Sequence, residues 1–347
     1  MQVTLGTALT ILGAVVLLGI AVHGWWQARQ AAPRRSVATA DATGQLARIE
    51  PDLVEDLPDR GGDSPAPRPS PLRRPARLDA LIDALVPLTL DAPISGEAVL
   101  SHLPSSRRAG TKVLGIEGLD AELGSWEPPA AGRRYGELQA GVQLASRSGA
   151  LNEIEYSEFV QKVQAFADAV GAVPDFPDML DVVARARELD GFAGPLDAVL
   201  TVTLRANHVA WSVGFVQQCA ARLGFVAGNV PGRLVLPAAE DGAPPVLVLS
   251  FDAQAALAED PQAAAVREAT LALDVPQTDE RSEPFPAWHD AARTLCDDMD
   301  ATLVDDQGQA VTLHAFASIG IELDTIYRAL ESRDLAAGSA LARRLFS

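Results

Sequence analysis

The side chains that could carry out chemistry are few and widely spaced. Two cysteines, Cys219 and Cys296, are too few for a tetrahedral zinc site, and both fall in apolar stretches, so we expect reduced thiols in the core. No histidine lies at metal-ligand spacing from a cysteine or a carboxylate. The histidines are His23, His102, His208, His289 and His314. The sequence therefore predicts neither a metal site nor a bound cofactor.

Two acidic clusters are the remaining candidates for cation binding. Asp297, Asp298 and Asp300 form one, and Asp305 and Asp306 form the other. Neither has the ligand spacing of an EF-hand loop, so we expect both to be solvated surface. The chain also lacks a phosphate-binding glycine loop and a nucleophile elbow. We therefore expect no enzymatic activity and no small-molecule substrate, although a membrane-tethered enzyme with residues 78–192 as its catalytic part stays an alternative.

Length and charge narrow the classes of protein further. The 347 residues are 48% hydrophobic and 21% charged, which suits about two folded units and is too apolar for a disordered chain. The formal net charge is -18, and the chain has only two lysines, Lys112 and Lys162. Nucleic acid binding rewards clustered Lys and Arg, so we expect no nucleic acid partner.

The N-terminal residues 1–28 have the pattern of a transmembrane helix. They carry no formally charged side chain, and residues 5–26 are mostly apolar. A helix of about 22 residues would be about 33 Å long, which is enough to cross a hydrocarbon core of about 30 Å. Trp25 and Trp26 close the stretch, where an interfacial aromatic belt belongs.

The charges that flank this stretch predict its orientation. Arg29, Arg34 and Arg35 follow it, and no Lys or Arg precedes it. The positive-inside rule therefore predicts a single-pass protein whose short N-terminus lies outside and whose C-terminal domains lie in the cytoplasm. A cleaved signal peptide is the rival interpretation. It fits less well, because the basic n-region is missing and the apolar run is longer than a usual h-region.

Residues 29–77 have the composition of a flexible linker. Prolines punctuate them, nine arginines nearly balance seven acids, and no apolar period is sustained. We expect a disordered, Pro-rich tether. The part from Leu78 onward then carries a net charge of about -20, which should repel an anionic membrane leaflet and hold the folded part away from lipid.

The folded part looks internally duplicated. Residues 83–90 parallel 197–204 at an offset of 114, and residues 142–145 parallel 271–274 at an offset of 129. A helix with one apolar face follows the second strand in both copies. Its paired positions are Phe159 with Trp288, Val163 with Ala292, Phe166 with Leu295, and Ala167 with Cys296. We therefore predict two related units, 78–192 and 193–347, of the α+β class, each an antiparallel sheet covered by helices on one face.

The second copy allows a more detailed prediction. We expect strands at 198–204, 225–226, 233–236, 246–251, 269–275 and 301–304, and helices at 211–223, 286–299 and 312–332. The terminal segment 335–346 contains Leu341, Leu345 and Phe346 and predicts a packed helix. The alternative is that this segment is a peptide that docks on a partner.

The order of these parts resembles the ZipA family of membrane-anchored division proteins of Gram-negative bacteria. The residues that carry the resemblance are Val22-His23-Gly24-Trp25 at the end of the span, residues 217–225 (QQCAARLGF), Asp274-Val275-Pro276, and residues 302–307 (TLVDDQ). The resemblance covers the anchor and about 195–335. Residues 78–192 have no counterpart in the single-domain layout of the family.

The resemblance implies a partner and a site. In the family, the C-terminal tail of the tubulin-like GTPase FtsZ lies as a helix across an exposed sheet face. Carried over to this sequence, the groove positions are Ala198, Val230, Gly232, Ser250, Asp252, Thr270 and Ala272. These residues are smaller or more polar than is usual for the family. Three alternatives follow: weak binding, a contribution from the first copy, or a strand register shifted by one, which would expose Val199, Leu249, Phe251 and Leu271.

The resulting hypothesis is a non-enzymatic cell division adaptor. It would tether FtsZ polymers to the cytoplasmic face of the inner membrane through a folded domain on a flexible linker, and so support assembly of the division ring. An adaptor for another cytoplasmic partner on the same scaffold is the second possibility.

Overall fold

The computed structural model describes residues 77–240, 242–260, 262–311 and 313–347. Within them the chain folds as an α+β protein in which every strand pairing is antiparallel, as the sequence predicts. The predicted membrane span, its flanking Trp25, Trp26, Arg29, Arg34 and Arg35, and all of the predicted linker except Arg77 lie outside the described residues. Within the described part, no helix combines the length and apolar character needed to cross a bilayer.

The first unit is built on a sheet with the strand order β3-β4-β6-β1-β9, in which β5 also pairs with β4 and β2 with β6. Its strands are β1 (Asp83–Leu90), β2 (Ile94–Ser95), β3 (Arg108–Ala109), β4 (Lys112–Asp120), β5 (Trp126–Glu127), β6 (Arg134–Gln143) and β9 (Ala172–Pro174), with β7 (Ala145–Ser146) and β8 (Gly149–Ala150) forming a separate hairpin. Alternating residues of the central strands, such as Ala84, Val86 and Leu88, are buried against the helices.

The helices of the first unit are α1 (Gly96–His102), α2 (Glu153–Val170) and α3 (Met179–Ala193). Helix α2 begins with a capping box in which Asn152 accepts the Glu155 amide and Glu155 reaches back to the Asn152 amide. It ends at Gly171, whose left-handed conformation (φ 70°) suits glycine. The face that carries Phe159, Val163 and Phe166 is buried, as predicted.

The second unit is built on a sheet with the strand order β12-β13-β14-β16-β10-β17. Its strands are β10 (Val199–Ala206), β12 (Val226–Ala227), β13 (Arg233–Leu236), β14 (Leu247–Phe251), β16 (Glu268–Asp274) and β17 (Ala301–Val304), and β11 (Trp211–Ser212) pairs separately with β15 (Ala265–Val266). Its helices are α4 (Val213–Arg222), α5 (Ala253–Ala256), α6 (Pro284–Met299), α7 (Leu313–Glu331) and α8 (Ala340–Leu345). The predicted elements of this unit are confirmed with ends that differ by three residues or fewer, except that the terminal helix covers only the last part of 335–346.

The two sheets share a central strand order, because β4-β6-β1-β9 matches β14-β16-β10-β17. A serine caps the first helix of each unit, and the later helices place buried Phe159 and Trp288 at the predicted offset of 129. The caps of those helices, Gly171 and Asp300, are both left-handed and lie at the same offset. This common order of elements is what an internal duplication predicts, and the duplication itself stays a prediction.

The strand alignments proposed from the sequence are two residues out of register. Leu90 pairs with Ala172 and Ala206 pairs with Ala301, which makes Leu90 and Ala206 equivalent at an offset of 116 rather than 114. The partner strands shift likewise, so that Val142 is equivalent to Leu273. A shift of two residues preserves the inward and outward alternation of a strand, and the hydrophobic pattern therefore could not detect it.

Side chains from both units meet at three arginines. Arg147 donates to the carboxylates of Asp197 (2.7 Å) and Asp274 (2.9 Å). Arg333 lies 4.6 Å above the ring centre of Phe192, and Arg344 forms a two-pronged pair with Asp83. The terminal segment packs between the units, with Leu345 and Phe346 each 1% exposed, so the prediction that it packs is confirmed.

Candidate protein-docking site

The outward face of the second sheet presents short side chains in paired rows. Thr203, Thr270 and Ser250 are neighbours across β10, β16 and β14, and the two threonine hydroxyls lie 3.3 Å apart. The neighbouring row on the same face, two residues further along each strand, contains Thr201, Ala272 and Val248. Because these side chains are small, the surface is low and another backbone could approach it closely.

The inward face settles the register of the two central strands. Leu249 and Leu271 are completely buried, and Phe251 is half-buried at the end of β14. The one-residue slip, which would have exposed Leu249 and Leu271, is therefore wrong for β14 and β16. Ser250, Thr270 and Ala272 point outward, as the carried-over groove requires.

The first strand of this unit behaves differently. Val199 is 50% exposed and pairs with Asp274, and Thr201 and Thr203 follow it on the outward face. Ala198 lies just before β10, and its carbonyl accepts a hydrogen bond from the amide of Val275. On β10 the carried-over alignment is therefore off by one residue. Val199, the position given by the shifted register, faces outward in place of Ala198.

The remaining predicted positions lie at the end of the sheet. Val230 is 54% exposed in the turn before β13. Asp252 caps the short helix α5 by accepting the Gln254 amide at 2.9 Å. Gly232 is buried with a φ of 74°, and a Cβ there would lie 2.5 Å from the carbonyl oxygen of Phe251. Gly232 therefore serves the turn between strands and offers no surface to a partner, which corrects its assignment to the groove.

A shallow open depression adjoins this face at the same end of the sheet. Ser250, Asp252, Thr270 and Glu268 are among the residues that line it. Glu268 also accepts a hydrogen bond from Arg205 across the strands at 2.9 Å. The face is thus rimmed by charge and filled with hydroxyls and methyl groups, a composition that suits a weak protein contact.

Within the described residues, no group of three or more His, Cys, Asp or Glu side chains is placed to hold a metal ion. Asp298 pairs with Arg222, and Asp305 accepts the turn amides of Gln307 and Gln309. Burial raises the pKa of the Cys219 and Cys296 thiols, which favours the unreactive protonated form.

The sequence interpretation missed Lys112, a buried lysine with only 1% of its surface exposed. Its Nζ donates to the hydroxyls of Ser146 (3.2 Å) and Ser148 (3.0 Å) and to the carbonyl of Gly149 (2.5 Å). Burial lowers its pKa. Three acceptors match the three protons of an ammonium group, so Lys112 holds the β7–β8 hairpin in place. The burial of Lys112 could have been predicted from the sequence, because Lys112 lies two residues before the buried Leu114 and therefore on the same face of β4.

No protein-family model and no curated protein matches the chain.

Proposed function

We propose that this chain is a non-enzymatic adaptor that tethers FtsZ polymers to the cytoplasmic face of the bacterial inner membrane. The proposal rests on the order of parts in the sequence: an uncharged apolar stretch, a Pro-rich linker and an acidic α+β region. The observation that carries it is the outward face of the second sheet, where Ser250, Thr270 and Ala272 form adjacent rows of short side chains. A helical tail peptide is the occupant that the ZipA resemblance suggests for such a face.

A weak contact is sufficient for this function. Each short side chain removes less apolar surface from water than a large anchor residue would, so the affinity of one domain for one tail should be low. A polymer presents many tails, and many membrane-bound chains can engage it at once. Linked weak contacts hold far more tightly than each does alone.

The first test is co-sedimentation of the chain lacking residues 1–28 with assembled FtsZ. We expect the chain to pellet with FtsZ polymers and to stay in the supernatant with polymers of FtsZ that lack the C-terminal tail. Pelleting with both kinds of polymer would contradict the tail as the contact. Failure to pellet with either would favour an adaptor for a different cytoplasmic partner.

The second test concerns orientation in the membrane. A fluorescent reporter that matures only in the cytoplasm, fused after Ser347, should be active, because Arg29, Arg34 and Arg35 favour the cytoplasmic side. A periplasmic phosphatase fused at the same place should be inactive. Phosphatase activity there would contradict both the orientation and the proposed partner.

A further inference from the structure

The part of the first sheet's outward face around Gly115 and Gly141 is already occupied by the chain itself. Residues Arg77 and Leu78, which join the predicted linker to the first unit, lie across β4 and β6 on the side away from the helices. This contact covers Glu117, a carboxylate on the outward face of the sheet that is only 2% exposed.

A pair of glycines forms a notch for Leu78. Gly115 and Gly141 are directly paired across β4 and β6. A Cβ on Gly115 would lie 3.0 Å from a methyl carbon of Leu78, and one on Gly141 would lie 2.7 Å from it. The second distance is shorter than real Cβ contacts allow. The side chain of Leu78 therefore fits because both strands lack a side chain at this point.

The backbone of the segment is bound as well as its side chain. One oxygen of the Glu117 carboxylate accepts the amides of both Arg77 and Leu78, the latter at 3.2 Å. Gln139 donates to the other oxygen of Glu117 at 3.1 Å and so orients the carboxylate. Arg344 donates to the carbonyl of Arg77 while it pairs with Asp83. A buried acceptor for two amides, a donor for a carbonyl and an apolar notch together make a peptide-binding site.

The internal duplication relates this site to the candidate site of the second unit. With Val142 equivalent to Leu273, the offset of 131 matches Gly141 to Ala272 and Gln139 to Thr270. Across the neighbouring strands, Glu117 pairs with Gln139 and Ser250 pairs with Thr270, so Glu117 and Ser250 are equivalent. The second unit has no glycine notch and no buried carboxylate at these positions.

We propose that the glycine notch and the Glu117 carboxylate, on the outward face of the first sheet, form an intramolecular docking site whose ligand is the segment Arg77–Leu78 of the same chain. Docking closes this part of the face to other peptides and fixes the backbone of Arg77 and Leu78 against the sheet. The first unit thereby acts as the anchorage of the linker, while the equivalent face of the second unit stays open. This inference does not depend on the identity of the partner.

The test is limited tryptic cleavage of the full chain at the Arg77–Leu78 bond, followed by mass spectrometry. A docked backbone is poorly cleaved, because proteolysis requires local opening. We expect Gly141→Ala, which fills the notch, to speed cleavage at this bond about tenfold. Gly136→Ala is the matched control: it adds the same methyl group to the same strand, where no atom lies within 4 Å.

A second variant guards against global unfolding. Leu78→Ala leaves both sheets unaltered and should also speed cleavage at this bond, with a cooperative thermal transition retained. Hydrogen exchange should show a protected Leu78 amide in the wild-type chain and in Gly136→Ala, and a fast-exchanging one in Gly141→Ala. Equal cleavage rates in the wild-type, Gly141→Ala and Leu78→Ala chains would overturn the proposal.

Discussion

Replacing Ala272 by arginine should remove detectable binding of an FtsZ tail peptide. Ala272 lies between Thr201 and Val248 on the outward face of the second sheet, where a docked helix would exclude water. An unpaired guanidinium buried at such a contact should cost several kcal/mol, on the order of 3, and each 1.4 kcal/mol is about tenfold in affinity. A contact of about micromolar strength would then lie beyond measurement by fluorescence anisotropy, which is the assay we suggest.

The control for this variant is Val173→Arg. Val173 is 68% exposed on β9 at the edge of the first sheet, so the substitution adds the same charge away from the proposed contact. Both variants should unfold at nearly the wild-type temperature, because both positions face outward. Equal affinity of the Ala272→Arg and wild-type chains for the tail peptide would show that the tail binds to another surface. Loss of binding in Val173→Arg alone would do the same.

Removing the side chain of Arg344 should lower the stability of the fold strongly. Arg344 donates to both oxygens of Asp83, at 2.9 and 2.6 Å, and Asp83 is completely buried. Breaking a buried ion pair by deleting one partner costs about 3–5 kcal/mol, because the other charge remains buried without compensation. We therefore expect the free energy of unfolding of Arg344→Ala, measured by urea denaturation, to fall by about 3 kcal/mol.

The neighbouring Arg343 provides the control. It pairs with Glu240, whose side chain is 73% exposed, at 3.2 Å. Such a surface pair contributes about 0–1 kcal/mol, so Arg343→Ala should be much less destabilising than Arg344→Ala. Similar losses in the two variants would show that helix α8 matters only through its packing and that the Asp83 pair contributes little.

The pH dependence of the Arg344→Ala defect gives an independent readout. Burial raises the pKa of Asp83 above 3.8, and the hydrogen bond and charge of Arg344 oppose that rise. A raised carboxyl pKa contributes stability that is fully present below the unfolded pKa and is lost as the pH rises through the folded pKa. Without Arg344 the pKa should rise further. The difference in unfolding free energy between wild-type and variant should therefore be smaller near pH 4 than near pH 7.

The regular spacing of apolar residues along the helices accounts for most of the sequence predictions that the structure confirms. The face of α6 that contains Trp288, Ala292 and Leu295 is buried, and β17 has the predicted bounds of Ala301–Val304. A 3.6-residue period over four turns locates a helix well because each apolar position constrains the others. The strand alignments between repeats were less well determined, since any even shift keeps the same pattern of burial.

The candidate site was predictable only in part. The outward direction of Ser250, Thr270 and Ala272 follows from alternation with the buried Leu249 and Leu271. The burial of Gly232 could not be predicted, because glycine contributes nothing to a hydrophobic pattern and the carbonyl that lies against it belongs to Phe251 in another strand. The docking of Leu78 likewise depends on two glycines 26 residues apart that become neighbours only when β4 and β6 pair.

The meeting of Arg77 with Arg344 has a mechanical consequence. The guanidinium of Arg344, in helix α8, binds both the carbonyl of Arg77, where the described residues begin, and the carboxylate of Asp83, the first residue of β1. Tension that arrives along the preceding segment would thus be shared between the first strand and the last helix instead of falling on one element. The force that Leu78 withstands before it leaves its notch would therefore depend on the Arg344–Asp83 pair as well as on the hydrogen bonds to Glu117.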